Sequence, residues 1–353
     1  MKKLEFLENY LNATSPTGLE TEGQKVWLDY IKDFVDETFT DTYGTAVGVI
    51  NPGMDYRVVI EAHADEIGWT VNHIDSKGFI RVVRNGGSDH HIAPGMEVQI
   101  LGDKGIVKGH FGWPAIHERK GKGAINPEVD TLFVDIECNS KEEVEEMGVF
   151  VGCPLVYDTK FKERKGKYIS RALDNRIGGY IIAQVAKKLK KNNIELPFSL
   201  YVVNSVQEEV GLFGAKMIAQ TIQPDVAIIT DVCHDTHTPH LNPVTAGDTT
   251  SGKGPVIFRG ADIQLNLHKQ IIEVANENKI KFQRGTYNGN SGTDTNAFYT
   301  SNGGVACQLI SLPLKYMHTS VETVDKKDVK QVINLIYHSL LSIEAGQDFR
   351  YIK

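Results

Sequence analysis

Cysteine is scarce and dispersed in this 353-residue sequence: Cys138, Cys153, Cys233 and Cys307 include no C-x-x-C pair. Such spacing excludes a cysteine zinc cluster and offers no disulfide framework. No apolar run approaches the length of a membrane span. Met1-Lys-Lys3 has the basic start of a secretion signal, but Glu5, Glu8 and Asn9 interrupt any apolar segment behind it. Basic charge is in deficit as well, 38 Lys and Arg against 45 Asp and Glu for a net charge of −7. Nucleic acid needs a basic face for phosphate neutralisation, so it is excluded as the main partner. Internal repeats and low-complexity linkers are missing. The expectation is a soluble, cytoplasmic protein with neither nucleic-acid nor membrane partners.

What is present is ordinary in amount, 41% apolar and 24% charged residues, and long enough for two domains and a large core. Its order is informative. Residues 4–36 read as two helices broken at Ser15-Pro-Thr-Gly18, followed by strands at Val47–Ile50 and Val58–Ala62. From about Val71 to Lys165, short β-rich pieces separated by Asp-Ser-Lys-Gly and Gly-Asp-Lys-Gly turns predict a small β-barrel or sandwich inserted into an α/β domain. The α/β pattern then resumes to the end. It has strands at Leu200–Val206, Val226–Thr230 and Val305–Leu312 and helices near 176–191, 269–279 and 326–342.

Chemistry-bearing residues gather at the ends of these strands. The Leu200–Val206 run is followed by Glu208 and Glu209, two acids whose side chains would leave an extended backbone in opposite directions and so could do different jobs. The Val58–Ala62 strand ends in His63, with Asp65 two residues on, a spacing that suits a carboxylate orienting a metal-binding imidazole. Asp231 closes a third strand and His318 follows a fourth, while Asp174 stands at the mouth of a helix. Each has a bland alternative: a solvated acidic turn, a structural His–Asp hydrogen bond, or a helix cap. The recurrence at one sheet edge favours a site, because open α/β sheets bind ligands beyond the carboxyl ends of their strands. Histidine and carboxylate without thiolate suit zinc, cobalt or manganese in a hydrolytic centre. The loop with His234, Asp235, His237 and His240 is a weaker candidate, and His90, His91, His110 and His117 read as surface or core histidines.

The chain resembles the cytosolic metal-dependent aminopeptidases of the TET type, which include glutamyl, leucyl and lysyl enzymes. The resemblance spans nearly the whole chain. It is carried by Ser15-Pro-Thr-Gly18, His63-Ala-Asp-Glu-Ile-Gly68, Ala172-Leu-Asp-Asn-Arg176, Gln207-Glu-Glu-Val-Gly211, Gly292-Thr-Asp294 and Tyr316-Met-His318. It implies an α/β fold with a zinc-peptidase-like mixed sheet flanked by helices and an inserted, PDZ-like β-barrel. The catalytic domain would then be residues 1–70 and 166–353, with residues 71–165 serving dimerisation and assembly. It also implies two divalent ions per subunit, zinc first, with cobalt or manganese as alternatives. His63 and Asp231 would hold one ion, Glu209 and His318 the other, and Asp174 would bridge. Glu208 would be the general base and Asp65 the orienter of His63. Asp294, Lys315 and Arg259 are candidate substrate contacts; Lys315 stands where arginine is common, and Thr295 where alanine is usual. Short peptides are the implied substrates, and dimers building a tetrahedral dodecamer the implied assembly. Other readings are an amidase or deacylase of the same fold, a glycoside hydrolase, or a non-catalytic assembly subunit.

Overall fold

A computed structural model describes residues 1–119 and 126–352. The chain opens with helices α1 (Lys3–Asn12) and α2 (Thr21–Ile31) and strands β1 (Glu37–Thr40), β2 (Ala46–Ile50) and β3 (Arg57–His63). Six strands follow: β4 (Gly68–Ile74), β5 (Ile80–Asn85), β6 (Glu97–Gly102), β7 (Gly105–Phe111), β8 (Val134–Asp135) and β9 (Pro154–Tyr157), with helix α3 (Lys141–Glu146) before the last. Next come β10 (Lys162–Arg164), β11 (Lys167–Ser170), α4 (Leu173–Lys191), β12 (Ser199–Ser205), α5 (Phe213–Ile222), β13 (Val226–His234) and α6 (Pro243–Ala246). The chain finishes with β14 (Val256–Arg259), α7 (Leu265–Glu277), β15 (Gln283–Thr286), α8 (Thr295–Tyr299), β16 (Ala306–Lys315), β17 (Glu322–Asp325) and α9 (Lys326–Ser342).

Eleven strands form one mixed sheet in the order β1-β2-β12-β3-β13-β16-β17-β11-β10, with β14 joined to β16 and β15 to β14. Its centre, β12-β3-β13-β16, is parallel, which explains why these strands read as continuous apolar runs: both faces are covered. One face packs under α1, α2, α4, α7 and α9, and the other under α5 and α8. The expected mixed α/β sheet with a barrel is what the chain forms. The barrel closes in the order β4-β5-β8-β7-β6-β9 around its own core of Trp69, Ile80, Ile100, Phe111, Val134 and Leu155. Its strands run from Gly68 to Tyr157, whereas β10 and β11 already pair toward β17 in the large sheet. No helix among the described residues is long and apolar enough to cross a membrane.

Several local forecasts hold to the residue. Helix α9 spans 326–342, with Asp325 capping it by accepting from the Lys327 N–H at 2.7 Å and Val329, Val332, Ile333, Ile336 and Leu340 buried on one stripe. Ser140 caps α3, and Gly148 lies in the left-handed region just beyond it. Two boundaries differ. Strand β13 does not stop at Asp231 but runs to His234, because β16 continues to pair beside it. Helix α7 begins at Leu265 rather than Lys269, where the Gln264 side chain accepts from the N–H groups of Asn266 and Leu267.

Two devices bring distant segments together at the sheet edge. Helix α4 approaches β3 through Gly178, where a Cβ would lie 2.8 Å from that of Ala62. The buried carboxylate of Glu66 pairs with both Arg171 and Arg176. Glu66 also accepts from the Ser15 N–H at 3.1 Å, and Arg176 donates to the carbonyls of Ala13 (2.6 Å) and Ala64 (3.1 Å). The Ser15-Pro-Thr-Gly18 turn, the His63–Glu66 segment and the start of α4 are therefore one hydrogen-bonded unit. Removing one member would strand a buried charge, a loss of about 3–5 kcal/mol in comparable buried pairs.

Candidate metal centre

Strand register places the site. Ser205 pairs with His63, and Glu61 pairs with Ile229, so Asp231 comes level with His63 two residues further on. Asp231 also pairs with Ser311 on β16. Four parallel strands thus bring Ser205, His63, Asp231 and Ser311 to one level, and the segments beyond add Asp174, Glu208, Glu209 and His318.

Asp174 does not cap α4. Its backbone leaves helical geometry (φ −79°, ψ 108°), and the next side chain, Asn175, anchors the turn by donating to the Thr230 carbonyl at 2.9 Å. The Asp174 carboxylate instead faces two imidazoles, Oδ1 lying 3.2 Å from His63 Nε2 and Oδ2 3.4 Å from His318 Nε2. His63 Nε2 also lies 3.9 Å from Asp231 Oδ1 and 3.9 Å from Glu208 Oε2, and His318 Nε2 lies 3.4 Å from Glu209 Oε1. Among the described residues, His63, Asp174 and Asp231 form one group whose donor atoms fall within 4.8 Å of one another, Asp174, Glu209 and His318 form a second, and His63, Glu208 and Glu209 form a third. Asp174 belongs to the first two.

The two glutamates do not project from the extended backbone expected for them. Gln207 adopts φ +57° and turns the chain, so Glu208 and Glu209 lie in a tight loop. Asp65 holds that loop, accepting from the N–H of Glu208 (3.1 Å) and Glu209 (3.2 Å) and from Thr17 Oγ1 (2.8 Å), while it lies 3.3 Å from His63 Nδ1.

The electrostatics follow from burial. Burial pushes Glu208 well above the usual carboxylate range, with Asp294, Asp231 and Glu209 adding to the effect against His63. Burial raises Glu209 as well, and it takes Asp231, beside Asp174, up to about 8. Burial alone would lower the two histidines, but the surrounding acids outweigh it: His63 is held well above its ordinary value, and His318 is pushed to about 11 by Asp174 and Glu209. Asp65 and Asp174, although buried, are held low by their histidine partners. A buried set of imidazole nitrogens and carboxylate oxygens that can ionise together only against added positive charge fits divalent cations.

The cluster opens into a cavity of about 1030 Å³, walled opposite by Phe258, Arg259, Arg284 and Tyr287. Of the three candidate substrate contacts, Arg259 lines this cavity. Asp294 is 1% exposed and lies beneath the site, where Ser205 Oγ donates within 2.7 Å of it and 2.6 Å of Glu61. Lys315 reaches toward Asp235 at 3.6 Å outside the cavity wall. In the histidine-rich loop, His237 is engaged with Asp248 at 2.7 Å, and His117 is a surface residue beside Glu118.

Four neighbours were not singled out from the sequence. Glu322 accepts from the backbone of both Asp174 and His318, and Arg284 lines the cavity. Gly86 and Gly87, in the barrel, abut Glu209 and His318: a Cβ at 87 would lie 2.5 Å from His318 Nδ1. The Asn85-Gly-Gly-Ser88 run was the available signal. The barrel segment therefore supplies no member of the donor groups, yet one of its loops closes against them.

Residues 44–335 match the profile of the M42 glutamyl aminopeptidase family. The chain is 32% identical over 336 residues to the lysyl aminopeptidase of Pyrococcus furiosus, covering 94% of each chain. It superposes with a TM-score of 0.91 at 27% identity on a TET aminopeptidase from a marine-sediment Thaumarchaeota archaeon, covering 97% of this chain and 96% of that one. The TET1 peptidase of Pyrococcus horikoshii, which can assemble into a tetrahedron or a large octahedral shell, superposes with a TM-score of 0.85 at 29% identity, covering 97% and 100%.

Two outcomes are expected. Gly87→Ala should fold, since position 87 has no left-handed backbone, yet displace the His318 ring and weaken ion binding at least tenfold in titration calorimetry; unchanged affinity would show that the ring moves freely. The metal-free protein should lose stability as pH rises. Asp231 holds its proton in the folded state up to about 8, whereas the unfolded chain releases it near 4. His318 keeps, up to about 11, a proton that the unfolded chain loses near 6.5. Both terms favour the folded form at low pH and fade as pH climbs. Thermal melting should therefore drop between pH 6 and 8.5 after chelation and recover with added divalent ion; a flat metal-free profile would contradict this electrostatic picture.

Proposed function

The chain belongs to the M42 glutamyl aminopeptidase family and is a peptidase; from that premise we propose that it removes single residues from the N-termini of short peptides with two divalent ions at the centre described above. The observation that carries the two-ion reading is the Asp174 carboxylate, whose two oxygens face His63 and His318 from opposite donor groups. His63 and Asp231 would hold one ion, Glu209 and His318 the other, and Asp174 would be shared, with zinc the first choice and cobalt or manganese as alternatives. Bound there, such ions polarise the scissile carbonyl and lower the pKa of water toward about 7.

The remaining work falls to the protein. Glu208 and Glu209 both group with His63, but only Glu209 also joins Asp174 and His318; we therefore assign the Glu208 carboxylate to take the proton of the attacking water and return it to the leaving amine. Such acid–base assistance is typically worth ~10²–10⁴-fold. Asp65 keeps Glu208 in reach by holding its backbone N–H, and keeps the His63 ring turned toward the cluster. Away from the acids, Arg259 and Arg284 line the cavity without an ion-pair partner among the described residues, so acidic N-terminal side chains are favoured over lysyl ones. We further place the protein in the cytoplasm as a self-associating particle, dimers building a tetrahedral dodecamer. In support, the barrel leaves Ile106, Met147 and Val151 about half exposed, a set of apolar groups that suits burial against another copy.

Glu208→Gln should retain both ions by elemental analysis and lose at least a hundredfold in kcat; turnover within about tenfold of the parent would remove Glu208 as base. Peptide panels with free and acetylated N-termini, before and after chelation, test the reaction class. Cleavage only of free N-termini, abolished by chelator and fastest for Glu and Asp, is expected. Internal cleavage of the acetylated peptide would favour an amidase or endopeptidase, and chelator-resistant hydrolysis of glycosides would favour the carbohydrate reading. Light scattering should report a particle of about a dozen chains, and a monomer would overturn the assembly.

A further inference from the structure

Glu322 is 2% exposed and opens β17, directly after the turn that carries His318. It belongs to no donor group among the described residues, and its strand needs no help from it: β17 pairs with β11 on one side and β16 on the other through backbone alone. What its side chain does is hold two other backbones. Oε1 accepts from the N–H of His318 at 2.8 Å and Oε2 from the N–H of Asp174 at 3.0 Å.

Both of those N–H groups lie where regular structure cannot take them up. Asp174 has left helical geometry, preceded by Ala172 at φ +57°, and His318 sits at φ +61° after Tyr316 at φ +62°. Left-handed non-glycine residues are sparsely populated and persist only where their surroundings fix them. A buried N–H must also find an acceptor. One carboxylate meets both demands, tying two segments 144 residues apart (318 − 174) so that Asp174 Oδ2 and His318 Nε2 come within 3.4 Å. On the far side, Gly87 leaves the imidazole only the space it occupies. Asp65 performs the matching task for the loop of Glu208 and Glu209.

We infer that Glu322 is a positioning residue that sets the separation of Asp174 and His318, and so the affinity of the ion position these two share with Glu209. The inference rests on the two-ion reading proposed above. It assigns Glu322 neither ligation nor proton transfer, and it predicts selectivity: the position built on His63 and Asp231 depends on Glu322 only through Asp174, so the other should suffer far more.

Glu322→Gln preserves size but leaves one acceptor oxygen for two donors, forcing an amide N–H against one of them. The parent and the variant, stripped by chelation, would be titrated with Zn²⁺ by calorimetry and with Co²⁺ by visible absorption, with circular dichroism and sedimentation as checks on folding. The expected result is a folded, normally sized variant that binds one ion with parental affinity and the other about 10–100-fold more weakly, the range seen when groups orienting metal ligands are removed, with an altered cobalt spectrum at full loading. Parental affinity at both positions would overturn the inference, and so would equal weakening of both. If the glutamine variant does not fold, Glu322→Asp keeps the charge but, being one methylene shorter, reaches only one N–H. The same selective loss is then expected, and parental binding or a second failure to fold would mark Glu322 as a determinant of the fold alone. A parent that binds a single ion would instead refute the two-ion reading itself, a result distinct from any of these.

Discussion

Four carboxylates share one small, largely buried space: Asp174, Glu208, Glu209 and Asp231 lie around two histidines at the carboxyl edge of the central strands. Two like charges about 4 Å apart repel by roughly 1 kcal/mol in water but about 4 kcal/mol at the effective dielectric of a protein site. Left to itself the cluster answers by holding protons, as the raised Glu208, Glu209 and Asp231 and the strongly basic His318 record. A divalent cation bound there would replace those protons. The architecture around the site can be understood as what keeps such a cluster from relaxing apart.

The comparison with Glu66 makes this concrete. Glu66 is as deeply buried as any acid of the site, but it faces two guanidinium groups and needs nothing further; its value is held low by Arg171 and Arg176. Nature of burial is therefore not the distinction between structural and functional acids here. The distinction is whether the protein supplies the counter-charge. Glu66 fastens three chain segments because its partners are covalently part of the fold, whereas the site acids have only histidines and one another. The framework carries its own counter-charge, and the centre it surrounds is left wanting positive charge.

The parts of this arrangement that depend on local sequence were legible, and the parts that depend on long-range pairing were not. Helix α9 could be placed because its cap and apolar stripe lie within one segment, and the His63-x-Asp65 spacing because both residues share a strand end. The set of acids and histidines could be assembled because each follows its own apolar run. Glu208 and Glu209 stood out from the sequence on the premise of an extended chain, whereas a left-handed Gln207 puts them in a turn. The third strand reads as ending at Asp231, yet β16, some 80 residues later, keeps pairing with it as far as His234. Glu322 and Gly87 carried no signal of their own, since an acid before a helix and a glycine in a turn are ordinary; only the fold brings the first to Asp174 and the second to His318.

The barrel is the element whose meaning changes most. Read along the chain, it is an insertion that interrupts the α/β pattern and contributes no donor atom. In space, its Asn85 side chain donates to the Thr17 carbonyl at 2.8 Å, Gly86 packs on Glu209, and Gly87 packs on the His318 ring. Thr17 in turn bonds to Asp65, which holds the Glu208–Glu209 loop. A displacement of the barrel by even an ångström would therefore reach both glutamates and His318 through contacts already at van der Waals or hydrogen-bond distance. Because well-packed interfaces of this kind transmit small shifts rather than absorb them, any assembly that fixes the barrel also fixes one wall of the metal centre. Association would then bear on the geometry of the acid–histidine cluster, although no described residue of the barrel belongs to its donor groups.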